Sequence, residues 1–141
     1  TVWRQADKYE VVGGVTYDLG PISLGAQWSG DYTGVDSTHS SGSTGVYNLY
    51  KNFAFGVAFN VSDDLSVSYG EWKATKAGYS DSEFEQLPRG DRTINIKSLQ
   101  ASYTMGGATF RIAEVDVENS GYTSAASADQ SATIISLGLA F

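Results

Sequence analysis

The chain has no cysteine and a single histidine, His39. The first absence excludes disulfides and thiolate metal sites, and the second excludes a multi-histidine metal centre. His39 lies in THSSGST, a Ser, Gly and Thr stretch where an imidazole is ordinarily just solvated. No run approaches the roughly 20 apolar residues of a membrane-spanning helix. Basic residues are also few: nine Lys and Arg stand against sixteen Asp and Glu, a net charge of -7. A chain this acidic repels phosphates, so nucleic acid is not an expected partner. Segments such as SYGEWK and TMGGAT offer no nucleophile–base pair, so no enzyme activity is expected.

Proline is scarce as well, two residues against sixteen glycines, while aromatics reach 13%. Tyr, Phe, Val, Thr and Ser recur at strand spacing, and the composition reads all-β. Period-2 stretches predict seven strands: Tyr9 to Asp18, Ile22 to Asp31, Val46 to Val61, Leu65 to Thr75, Thr93 to Met105, Ala108 to Glu118, and Thr133 to Phe141. Short turns (LGP, SDD, MGG) alternate with long polar connections (YTGVDSTHSSGSTG, KAGYSDSEFEQLPRGDR, NSGYTSAASADQSA). That alternation predicts an antiparallel up-and-down barrel with one trimmed rim and one decorated rim, and a single domain over residues 1–141. Propeller blades would need about four strands per repeat, and here each repeat of roughly 40 residues supplies two.

The two sides of each strand differ in an unusual way. Phe53, Phe55, Val57, Phe59 and Val61 alternate with Asn52, Ala54, Gly56, Ala58 and Asn60. Leu65, Val67 and Tyr69 oppose Ser66, Ser68 and Gly70, and Leu99, Ala101 and Tyr103 oppose Ser98, Gln100, Ser102 and Thr104. Ile22, Leu24, Ala26 and Trp28 oppose Ser23, Gly25, Gln27 and Ser29. A soluble sandwich would carry Lys, Glu and Arg on its exposed side. Bulky residues against small neutral ones suit a transmembrane β-barrel, with lipid outside and water inside. Tyr17, Phe59, Tyr103 and Phe141 would then form the aromatic girdle at the short-turn rim. The closing stretch TIISLGLAF, with Ile135, Leu137, Leu139 and Phe141 on one side, would be a stave of the wall.

Strict alternation aims Glu71 and Glu114 at lipid. One-residue bulges after Gly70 and Ala113 would turn them inward and send Trp72, Val115 and Val117 outward; a rise of both strands above the hydrocarbon is the other reading. Pore-lining candidates are Arg111, Gln100 and Gln27, joined by Glu71, Lys73, Glu114 and Asp116 if the bulges form. Lys97 is placed either on the wall or above it. The acidic stretches SDSEFEQLPRGDR and DYTGVDS invite a loop calcium, yet neither has the ligand spacing of a calcium loop, so no cofactor is expected.

The stretch from Gly106 to the end, GGATFRIAEVDVENSGYTSAASADQSATIISLGLAF, resembles the C-terminal end of Gram-negative general porins, through its GGAT turn, polar loop and closing strand with terminal Phe141. AFNVSDDLSVSYGEWK also looks like a porin hairpin. The resemblance implies a bacterial outer-membrane barrel, usually of sixteen strands and trimeric, in contact with membrane lipids and lipopolysaccharide. It implies passive diffusion of small hydrophilic solutes and ions, and a terminal strand read by the barrel-assembly machinery. Short turns would be periplasmic and long loops extracellular. An odd number of strands departs from the family's even count. The chain therefore reads as the C-terminal half of a porin; alternatively TVWRQADKY hides an eighth strand of a small closed barrel. A structural anchor or adhesin acting through the long loops, and a soluble β-barrel binder, are the competing functional classes.

Overall fold

The structure is a computed structural model and describes residues 8–34, 47–78 and 91–140. Seven strands are present: β1 (Tyr9–Leu19), β2 (Ile22–Tyr32), β3 (Leu49–Asn60), β4 (Leu65–Ala77), β5 (Arg92–Met105), β6 (Ala108–Glu118) and β7 (Gln130–Leu139). They form one sheet in sequence order, every neighbour antiparallel. The all-β, up-and-down expectation is met, and all seven strand starts lie within three residues of their expected positions; the largest offsets are at β3, which begins at Leu49 rather than Val46, and β7, which begins at Gln130 rather than Thr133. Between β6 and β7 the chain makes two short 3-10 turns, Ser120–Tyr122 and Ala126–Ala128.

Local chemistry explains the tight hairpins. Gly20 has φ +60° and precedes Pro21, which places the positive dihedral at the first central position as a type II′ turn demands. Gly106 and Gly107 both have positive φ, 55° and 84°, the requirement of type I′. The four-residue turn between β3 and β4 is closed by Ser62, whose hydroxyl accepts from the Leu65 amide at 3.1 Å.

The turns do not share one row of the sheet. Leu19 and Ile22 stand level with Ala101, Leu65 stands level with Tyr103, and the last hairpin closes at Met105. Each hairpin thus steps two residues along the sheet. A step of about 7 Å over two strand spacings of about 4.8 Å corresponds to a tilt of about 35°, the range in which curved sheets approach closure. The expected girdle follows the same staircase: Tyr103 lies beside Leu65, Phe59 one row on beside Val67, and Tyr17 a further row on beside Leu24. Phe141, the fourth member, lies outside the described residues.

Pairing is continuous through β3–β4 and β5–β6: Gly56 faces Gly70, Phe55 faces Glu71, Ala54 faces Trp72, and Ala113 faces Gln100. The bulges after Gly70 and Ala113 are therefore absent. Glu71, Lys73, Glu114 and Asp116 stay on the bulky side with Tyr69, Leu99 and Ile112. Glu71 and Glu114, the carboxylates the bulges would turn, are satisfied where they stand: Lys73 Nζ lies 3.0 Å from Glu71 Oε1, and the Thr133 hydroxyl donates to Glu114.

There is no dry centre among the described residues. Phe55 is 39% exposed and Leu137 60% exposed, and the buried apolar residues are only Ala74, Ala77 and Ala128. Asn48 is fully buried at the long-loop end. Its carbonyl accepts from Thr33 N–H at 2.8 Å, and its amide donates to Ala77 O at 3.0 Å. Folding energy in water comes chiefly from apolar burial, so a sheet with such a bare bulky face requires a cover.

Candidate functional site

Three hollows among the described residues open chiefly on the small-residue side, and the bulky side is the more exposed, so the small-residue side is concave. One of about 530 Å³ runs from Ser66 and Ser102 past Arg111 to Val115 and Ile134. Another of about 370 Å³ lies among Gln27, Ser29, Asn52, Ala54 and Trp72. A third, about 350 Å³, is floored by the β3–β4 turn.

The concave side can be read row by row. At the short-turn end, Asn60, Ser66, Ser102, Arg111 and Ser136 stand side by side. Two rows on come Gly25, Gly56, Gly70 and Ser98, a band of bare backbone three strands wide. A Cβ at Gly56 would meet nothing closer than the Tyr69 carbonyl at 3.5 Å, so packing within the chain does not require glycine there. The following row holds Gln27, Ala54, Trp72, Ile96 and Val117.

The row at the long-loop end carries charge. Glu10, Asp31, Tyr50, Lys76 and Arg92 are successive neighbours across β1 to β5. The acids sit on β1 and β2, the bases on β4 and β5, with a phenol between. Asp18 and Arg111 extend the division, so every strand carboxylate on this side lies on β1–β2 and every cation on β4–β6. Lys8 approaches Asp31 to 3.9 Å. The Lys76 ammonium lies 4.5 Å from the Tyr47 ring centre and 4.4 Å from that of Tyr122, a cation clasped by two aromatic faces. Burial, and secondarily the nearby Tyr50, push the Tyr122 phenol above its ordinary value.

Of the residues expected on the wall, Arg111, Gln100 and Gln27 lie on the concave side. Glu71, Lys73, Glu114 and Asp116 do not. They form a charged shoulder with Asn95, Lys97 and Glu118 on the convex side of β4–β6. Sequence reasoning missed Glu10, Asp18, Asp31, Lys76 and Arg92; each has the parity of the small residues on its strand, and that parity was the available signal. The acidic stretch SDSEFEQLPRGDR lies outside the described residues apart from Asp91 and Arg92, as do His39 and the second half of DYTGVDS. No group of three metal-ligating side chains occurs among the described residues. No protein-family model, curated protein or solved structure matches the chain.

Proposed function

We propose that this chain is part of a porin-type β-barrel of the bacterial outer membrane, forming one wall of a water-filled channel for passive diffusion of small hydrophilic solutes and ions. The observation that carries the reading is the inverted polarity of the sheet. Large side chains, Tyr17, Leu24, Phe53, Phe59, Phe110 and Leu137 among them, stand exposed on the convex side, whereas hydroxyls, amides and glycines occupy the concave side. Acyl chains satisfy the first surface and water the second. The 35° stagger and the aromatic staircase support tilted strands with an interfacial girdle.

The convex side also bears on assembly. On β1 and β2 its uncharged, largely apolar residues extend from the short turns to Tyr9 and Tyr32, and on β3 they reach Phe53 before Lys51, but on β5 they end at Leu99, where Lys97 and Asn95 take over. From Met105 to Leu99 the tilted strand climbs about 17 Å, short of the roughly 25 Å apolar band of an outer-membrane barrel. A neighbouring subunit, as in the trimer the porin resemblance implies, covers the charged shoulder better than lipid does. In this reading the remaining strands of a sixteen-stranded barrel close the sheet, and the protein is a channel rather than an enzyme, with no cofactor.

Reconstitution into planar bilayers tests this. Stepwise conductance is expected at nanomolar protein. A protein that stays monomeric in plain buffer without detergent and produces no steps would overturn the channel.

A further inference from the structure

The concave side is not uniformly suited to water. Val115 and Ile134 border the 530 Å³ hollow, and Ile96, Val117 and Trp72 continue the apolar surface toward the long loops in adjoining positions of the sheet. The opposite end of the same hollow holds Arg111, flanked by Ser102 and Ser136 in register. Arg111 is exposed and, among the described residues, has no carboxylate within ion-pair distance. It is also the sole formal charge on the concave side of β2–β7 over the rows between the short turns and the Trp72 row.

From these observations we infer that the hollow is a subsite for small monocarboxylates with an apolar body, aromatic or short aliphatic. A guanidinium presents two parallel donors that match a carboxylate's two oxygens, and the flanking hydroxyls add donors at the same level. From Arg111 to Val115 is four strand residues, about 14 Å, with Ile134 beside the midpoint at Ala113. With its head on the Arg111 guanidinium, an acid of about six to ten carbons lays its body over Ile134, about 7 Å along the sheet, and the longer ones approach Val115. A neutral sugar gains nothing from the apolar stretch, and an inorganic anion gains nothing beyond the guanidinium. The inference rests on the concave side being the water-filled one and narrows the solute class of the proposed channel.

The test uses the detergent-solubilised protein with Trp3 and Trp28 replaced by Phe, leaving Trp72 as reporter. It is titrated with 3-phenylpropionate, acetate and 3-phenylpropanol. Binding of 3-phenylpropionate is expected to be at least tenfold tighter than that of either comparator. Arg111→Ser should weaken it about tenfold, the loss of a charge-assisted pair. Ile134→Ser should weaken 3-phenylpropionate about threefold or more while leaving acetate unchanged, and Val115→Ser serves as a second apolar-end variant should Ile134→Ser fail to fold. Equal binding of acetate and 3-phenylpropionate, or indifference to Arg111→Ser, would overturn the subsite. The channel arm separates the two ideas. Absence of conductance in the unmodified protein removes the channel, whereas conductance with a phenylpropionate-to-chloride permeability ratio untouched by both substitutions removes only the subsite.

Discussion

Tyr122 occupies the left-handed region, φ 61°, where a bulky side chain is strained by about 1–3 kcal/mol. What holds it there is visible: its amide donates to Asn119 O at 2.9 Å, Asn119 N–H donates to the Asp129 carboxylate at 2.9 Å, and its ring lies over the Lys76 ammonium. The β6–β7 loop is thus pinned to β4 through one side chain. Tyr122→Leu removes a cation–π contact of about 0.5–1 kcal/mol. Amide exchange across residues 119–129 should then accelerate about two- to fivefold, and unchanged exchange would refute the clasp. The loop should also respond to pH. Because the folded phenol is held above its ordinary value, its contribution is fully present below that value, about 10, and is lost as pH rises through the raised one. Loop protection should fall in that alkaline window in the parent protein, and the corresponding step should be missing in Tyr122→Phe.

At the scale of a strand, the proposed channel assigns adjacent residues to different solvents. Val57 points to the convex side beside Leu24 and Tyr69, and Ala58 to the concave side beside Ser23 and Ser68. Val57→Lys should cost about 2–4 kcal/mol of stability in lipid vesicles, the penalty for a cation near the midplane, whereas Ala58→Lys should cost little. Equal penalties in a denaturant titration of the two variants would remove the inverted polarity. This alternation was legible in the sequence because a period of two survives any error in strand ends. The bulges were not a valid addition to it. They answer a need that Glu71 and Glu114 do not have, since Lys73 and Thr133 already partner them, and a partner on a neighbouring strand such as Thr133 is invisible to a one-strand pattern. For the same reason the row of Glu10, Asp31, Tyr50, Lys76 and Arg92 escaped notice. Each residue's side of the strand follows from parity, but their common level depends on how the long connections set the register, and loop length alone does not reveal that.

At the scale of the whole sheet, the decisive features among the described residues are two unpaired edges and the lack of a dry core. Among the described residues β1 and β7 each have one neighbour, and both run from the long-loop end toward the short turns. Joined directly they would make a parallel pair in an otherwise antiparallel wall; antiparallel closure demands an odd number of further strands between them. A bare edge is also a template for aggregation, and hydrocarbon tolerates no unpaired backbone donors. The proposed pore therefore requires both edges to be closed, whether by more of the same chain or by another. Edge strands donate with alternate amides on each side, so closure leaves a readable signature. In the membrane-inserted protein the outward-pointing amides of Tyr9–Leu19 and Gln130–Leu139 should exchange as slowly as those of β3 and β4. If every second amide of either strand instead exchanges near the rate of an unstructured peptide while the rest stay protected, the sheet is open in the membrane, and a continuous barrel wall is no longer an adequate description of this protein.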